Sequence, residues 1–175
     1  MQMHYKIINN LNYISSILGL QIDDMKSNST KDSVFALMES RMRIDAIALT
    51  HRVIYDTQSI EKFDFDRYVN DLTRLINRRY NKEIILKCEN NGVIFTEEFI
   101  LQLGLIIYEL LDKSFKNGID KVNISILLIQ GCIFYYDSNL QKSEDDFGNK
   151  LIKLIVQEMG SKLEISYEDG LLYEF

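Results

Sequence analysis

The sequence predicts an antiparallel helical hairpin that pairs with a second copy into a dimeric four-helix bundle, followed by an α/β sandwich. Three observations carry this expectation. Two long amphipathic segments, parted by a short polar turn, fill the first third of the chain. Their apolar faces are too wide for one hairpin to bury. The remainder switches between helical and strand periodicity, with turn residues between the segments.

The first predicted helix covers residues 3–25. Ile7, Leu11, Ile14, Leu18, Gln21 and Met25 recur at alternating steps of four and three, and Ile8, Ile17 and Ile22 widen the stripe. Lys26 to Thr30 is a polar turn. The second helix runs from about Asp32 to Tyr55, where Val34, Leu37, Arg41, Ile44, Ala48, His51 and Tyr55 keep a heptad register. A short turn between two such helices makes a hairpin. Residues 57–64 read as a connector. Phe65, Tyr68, Val69, Leu72, Leu75 and Ile76 mark a third amphipathic helix.

Glu83 to Cys88 alternates as a strand does, and Asn90-Asn91-Gly92 reads as a turn. Thr96 is placed to cap a helix that carries Glu97 and Glu98 in its first turn and ends before Gly118. Two strands, Val122 to Ile129 and Cys132 to Tyr136, flank Gln130-Gly131. A polar loop over 138–146 leads to a helix from Phe147 to Met159. Strands at 162–167 and 171–175 complete a mixed sheet with helices on one face. The expected division is a hairpin over residues 1–58 and an α/β sandwich over 59–175.

Composition narrows the function classes. The 26 acidic and 20 basic residues leave a net charge of −6, against the basic stripe of a nucleic-acid binder. No apolar run reaches the ~18–20 residues of a membrane helix. Cys88 and Cys132 have neither metal nor disulfide spacing, and the two histidines, His4 and His51, have no further ligands at metal spacing. The expectation is a cytoplasmic protein with no membrane, nucleic-acid, metal or cofactor partner. His51 continues the α-helical heptad and reads as a bundle-core residue.

Several strings, in order, resemble a histidine kinase subfamily whose first helix carries a His-His-Arg-Val-Lys-Asn-Asn-Leu-Gln motif. Here that stretch reads His4-Tyr5-Lys6-Ile7-Ile8-Asn9-Asn10-Leu11-Asn12. Ser40-Arg41-Met42-Arg43 and Ala46-Ile47-Ala48-Leu49-Thr50-His51 are similar to its second-helix signature. Asp64-Phe65 and Tyr68-Val69-Asn70-Asp71-Leu72 resemble the start of its ATP-binding part. Leu103 to Leu110 resembles its asparagine box. The resemblance covers almost the whole chain. It implies a two-component histidine kinase core: a HisKA_2-type dimerisation hairpin plus a degenerate HATPase-like domain, as in dimeric histidine phosphotransferases.

The departures shape the implied function. The resemblance places asparagines, which serve magnesium and phosphate, where this chain has Tyr108 and Lys113. An ammonium cannot ligate magnesium. An Asp-Asn-Gly-x-Gly string is replaced by Asp137-Ser138-Asn139-Leu140-Gln141, and the glycine-rich lid has shrunk to Asp146-Phe147-Gly148-Asn149-Lys150. Missing glycines remove the backbone freedom of a phosphate cradle. Of the implied nucleotide site, Glu109 and Asp137 survive beside Tyr108 and Lys113, so self-phosphorylation from ATP is not expected.

A phosphotransfer site needs a nucleophilic imidazole on a helix. His4 falls in the motif, whereas the family's acceptor register aligns with Tyr5. His4 is therefore the candidate phosphoacceptor, with Tyr5, Lys6, Asn9, Asn10 and Asn12 as candidate docking or orienting residues. Two functions stay open. One is a dimeric histidine phosphotransferase serving response regulator receiver domains. The other is a pseudokinase scaffold that docks or sequesters such a regulator without chemistry. A divergent ATP-dependent kinase is a third, disfavoured by the missing glycines and asparagines. The hairpin begins near residue 1 with no input domain ahead of it, which fits the first two better; a truncated chain would look the same.

Overall fold

The structure is a computed structural model that describes residues 2–27, 33–56, 63–91, 96–117, 121–129, 132–137, 146–166 and 171–175. Five helices and five strands are described, in the order α1 (Gln2–Ser27), α2 (Ser33–Asp56), α3 (Phe65–Tyr80), β1 (Glu83–Asn91), α4 (Glu97–Asn117), β2 (Lys121–Ile129), β3 (Cys132–Asp137), α5 (Phe147–Glu158), β4 (Glu164–Ser166) and β5 (Leu171–Glu174). The chain divides into two compact units, residues 1–45 and 46–175.

In the first unit, α1 and the start of α2 meet through a polar seam. Arg43 is 2% exposed; its Nη1 donates to Gln21 Oε1 at 3.1 Å and lies 4.0 Å from Glu39 Oε2. Gln21, Asp24, Glu39 and Ser40 are buried with it, beside Ile17 and Ala36. The heptad stripe read from α2 faces elsewhere. Val34 is 63% and Leu37 67% exposed, Tyr55 and Ala48 are exposed, and Ile44 and His51 are half-buried. Within one chain α2 therefore buries the Ala36, Ser40, Arg43, Ile47, Thr50 stripe, itself spaced four and three, and leaves the predicted one outside.

The second unit is built on a five-stranded sheet in the order β1-β2-β3-β5-β4. β1 and β2 run parallel, and the other neighbours are antiparallel. This is the expected mixed sheet. β1 extends through Asn90 and Asn91, the first two residues of the predicted turn, because both pair with β2 opposite Leu128 and Ile129. Gly92, Gly118 and the Gln130-Gly131 turn lie outside the described residues.

Local signals set the helix ends. Asp64 Oδ1 accepts the Arg67 N–H at 3.0 Å and caps α3, and Asn81 closes it in the left-handed region at φ 50°. Thr96 Oγ1 accepts the Phe99 N–H at 3.1 Å, as the sequence predicts for α4. Asp146 Oδ1 accepts the Asn149 N–H at 2.9 Å and caps α5.

α4 is the centre of the unit. Leu103 through Phe115 are all buried, as expected of a helix apolar nearly all round. Its polar residues must then find partners inside. Asp112 accepts from the Tyr80 hydroxyl and pairs with Lys116, each at 2.7 Å. Tyr135 of β3 donates to the Leu110 carbonyl at 3.0 Å, so the Ser114 hydroxyl, 2.7 Å away, donates to Tyr135. Ile126 and Tyr135, paired across β2 and β3, are buried on this same sheet face.

Candidate functional site

Two places carry the predicted site residues. The first is the start of α1. His4, Tyr5, Lys6, Asn9, Asn10 and Asn12 all lie within the helix, while their side chains are outside the described set. Helical spacing aligns Tyr5, Asn9 and Asn12 along one stripe and Lys6 with Asn10 beside it. The helix holds these residues in register without fixing which of them a partner would meet.

The second place is where the first turn of α5 meets α4. Glu109 and Lys113 stand one turn apart on α4, and both are buried. Lys113, 6% exposed, donates from Nζ to Asn149 Oδ1 at 2.6 Å and lies 3.5 Å from Asp146 Oδ1. Gly148 sits between these acceptors with Glu109 close by: a Cβ there would come within 2.8 Å of Glu109 Oε2. A larger residue there would require the Glu109 carboxylate to shift, so the glycine leaves room for that side chain beside the first turn of α5.

The electrostatics of this cluster are mixed. Burial lowers the pKa of the Lys113 ammonium below its ordinary value, while Asp146 and Glu109 pull it upward. The ammonium thus stands among an amide oxygen and two carboxylates, the donor types that otherwise hold a hard cation. Tyr108 is buried on the same helix, and Asp137 is fully buried at the end of β3 opposite Ile124 and Leu171. The structure brings Lys113 together with Asp146 and Asn149, two residues that the sequence reading placed only in a shortened lid. The signal for them was local: an aspartate three residues before an asparagine at a helix start is an N-cap pattern, and it fixes where Asn149 falls.

Among the described residues no helix is long and apolar enough to cross a membrane. A core of two hairpin helices joined to this mixed α/β sheet defines the histidine kinase class of fold. The HisKA_2 family, described as histidine kinase, matches residues 2–80. The Erythrobacter litoralis EL346 blue-light activated histidine kinase superposes with a TM-score of 0.74 at 13% identity, over 99% of this chain and 59% of that one. The separate histidine kinase domain of the same protein superposes at 0.63 and 12% identity, over 95% and 92%. This chain spans 59% of the length of the first. No curated protein matches the sequence. The chain therefore has a histidine kinase-like fold, and its first 80 residues resemble the HisKA_2 family.

Proposed function

We propose that this chain is a histidine phosphotransferase-like dimer that exchanges phosphoryl groups with response regulator receiver domains and does not phosphorylate itself from ATP. Residues 1–58 dimerise and carry the phosphoryl group; residues 59–175 are a degenerate ATPase-like part. The observation that carries this reading is Lys113. Its ammonium, held by Asn149 and Asp146, stands on the helix where the resemblance puts a magnesium-serving asparagine. A positive charge there repels a divalent cation. The exposed Val34 and Leu37 support dimerisation through the hairpin. The reading keeps the protein in the cytoplasm, with no cofactor.

The chemistry needs one nucleophile. A neutral ring nitrogen of His4 attacks the phosphorus of a receiver's aspartyl phosphate. The N–P bond forms, the P–O bond breaks, and the aspartate leaves as its carboxylate. Lys6, Asn9 and Asn10 orient the ring or hold phosphate oxygens, and Tyr5 and Asn12 belong to the docking face. A second reading rests on Tyr5, which holds the register of the family's acceptor: the protein is a scaffold that binds a regulator without chemistry.

One comparison separates the two. Wild type incubated with a phosphorylated receiver domain is expected to take up acid-labile label, and His4→Ala is expected to lose all of it while still binding the receiver. Wild type that binds but never takes label identifies the scaffold. Wild type that neither binds nor takes label from any cognate receiver overturns both. The loss of the autokinase is tested separately by melting the protein in magnesium–ATP. A ligand at ~100 times its dissociation constant would stabilise by about 2.7 kcal/mol. No shift is expected at millimolar nucleotide, and a shift that requires magnesium would show a working site.

A further inference from the structure

In the second unit, the last turns of α2 meet α3 and α4 at one buried hydrogen bond. The Tyr68 hydroxyl of α3 lies 2.7 Å from Thr50 Oγ1 of α2, and both residues are almost fully buried. Thr50 Oγ1 also donates to the Ala46 carbonyl at 2.9 Å. A hydroxyl has one proton to give. Thr50 spends it on Ala46, so Tyr68 is the donor and Thr50 the acceptor between them. Burial raises the Tyr68 pKa well above the ordinary phenol value, against a smaller lowering by the Thr50 hydrogen bond, which keeps that proton in place.

The third member is Gly104 of α4. A Cβ at this position would collide with the Tyr68 hydroxyl and stand 2.9 Å from Thr50 Oγ1. The missing side chain is what lets the hydroxyl pair sit against the α4 backbone. Around it, Ala46, Ile47 and Leu49 of α2 are buried too, and this end of α2 belongs to the same compact unit as the sheet.

We infer that Thr50, Tyr68 and Gly104 form a coupling joint that ties the last turns of α2 directly to α3 and α4. Residues 57–62, between α2 and α3, are then not the sole mechanical link between them. A shift of α2 at Thr50 is felt at Gly104, and α4 carries it along a rigid rod to Glu109 and Lys113, about 7.5 and 13.5 Å further by helical rise. The joint is independent of whether His4 carries phosphate.

Amide hydrogen exchange on the full chain tests the joint, because it reads each helix separately. Tyr68→Phe and Thr50→Val are each expected to speed exchange across residues 47–56 at least tenfold, with α5 unchanged, while Thr50→Ser, which keeps the acceptor, stays near wild type. Gly104→Ala, a change on α4, is expected to loosen the same segment of α2. Adding Tyr68→Phe to Gly104→Ala removes the collision with the hydroxyl and leaves the 2.9 Å contact with Thr50 Oγ1, so the double variant should fold even if the single one does not, and its exchange over 47–56 should be at least as fast as in Tyr68→Phe alone. The joint is overturned if residues 47–56 keep wild-type protection in Thr50→Val and Tyr68→Phe. It is also overturned if α5 loosens equally in those variants, or if Thr50→Ser behaves as Thr50→Val does.

Discussion

Replacing Val34 and Leu37 by glutamate is expected to turn the proposed dimer into a folded monomer. Both side chains are more than half exposed within one chain, so the hairpin itself loses little when they change. In a four-helix bundle the same positions would lie in the seam between copies. An unpaired charge buried there costs about 3–5 kcal/mol, which weakens association by roughly a hundredfold or more. Sedimentation should then report a monomer at micromolar concentration, with the helical circular dichroism of the wild type retained. A wild type that is itself monomeric at that concentration would remove dimerisation from the proposed function.

The second large effect is expected at Arg43. Its guanidinium is buried against Gln21 and near Glu39, which is itself buried. Arg43→Ala takes away the cation and leaves the carboxylate in a poorly solvated seam. Removing one partner of such a pair costs on the order of 3–5 kcal/mol. Urea unfolding followed by helical signal should show a loss of that size. Replacing Gln21, Asp24, Glu39 and Arg43 together by leucine, leucine, leucine and methionine is expected to cost little or to stabilise, since the seam then buries no charged group. If Arg43→Ala is as stable as wild type, the seam does not depend on this cluster.

Much of the fold was legible because its signals are local. The periodicity of α3, the caps at Asp64 and Thr96, and the strand runs of β2 and β3 each depend on residues a few positions apart. The loss of glycines after Asp137 was legible for the same reason, since backbone freedom is a property of the residue itself. The turn placed at Asn90-Asn91 failed because asparagine is only a weak strand breaker: once Leu128 and Ile129 of β2 are alongside, ladder hydrogen bonds outweigh turn preference.

The sequence by itself determined the order of elements, the two helices of the hairpin, and the chemical types at the positions where the resemblance implies a nucleotide site, because these follow from periodicity and side-chain chemistry. Only the tertiary structure decided which of two heptad stripes α2 buries. Both stripes are spaced four and three, and partners far along the chain, Gln21 at Arg43 and Tyr68 at Thr50, select between them. The tertiary structure also decided what Lys113 does. In sequence it is a lysine where an asparagine was expected. In space it meets Asn149, 36 residues away, in a bond that no local rule encodes.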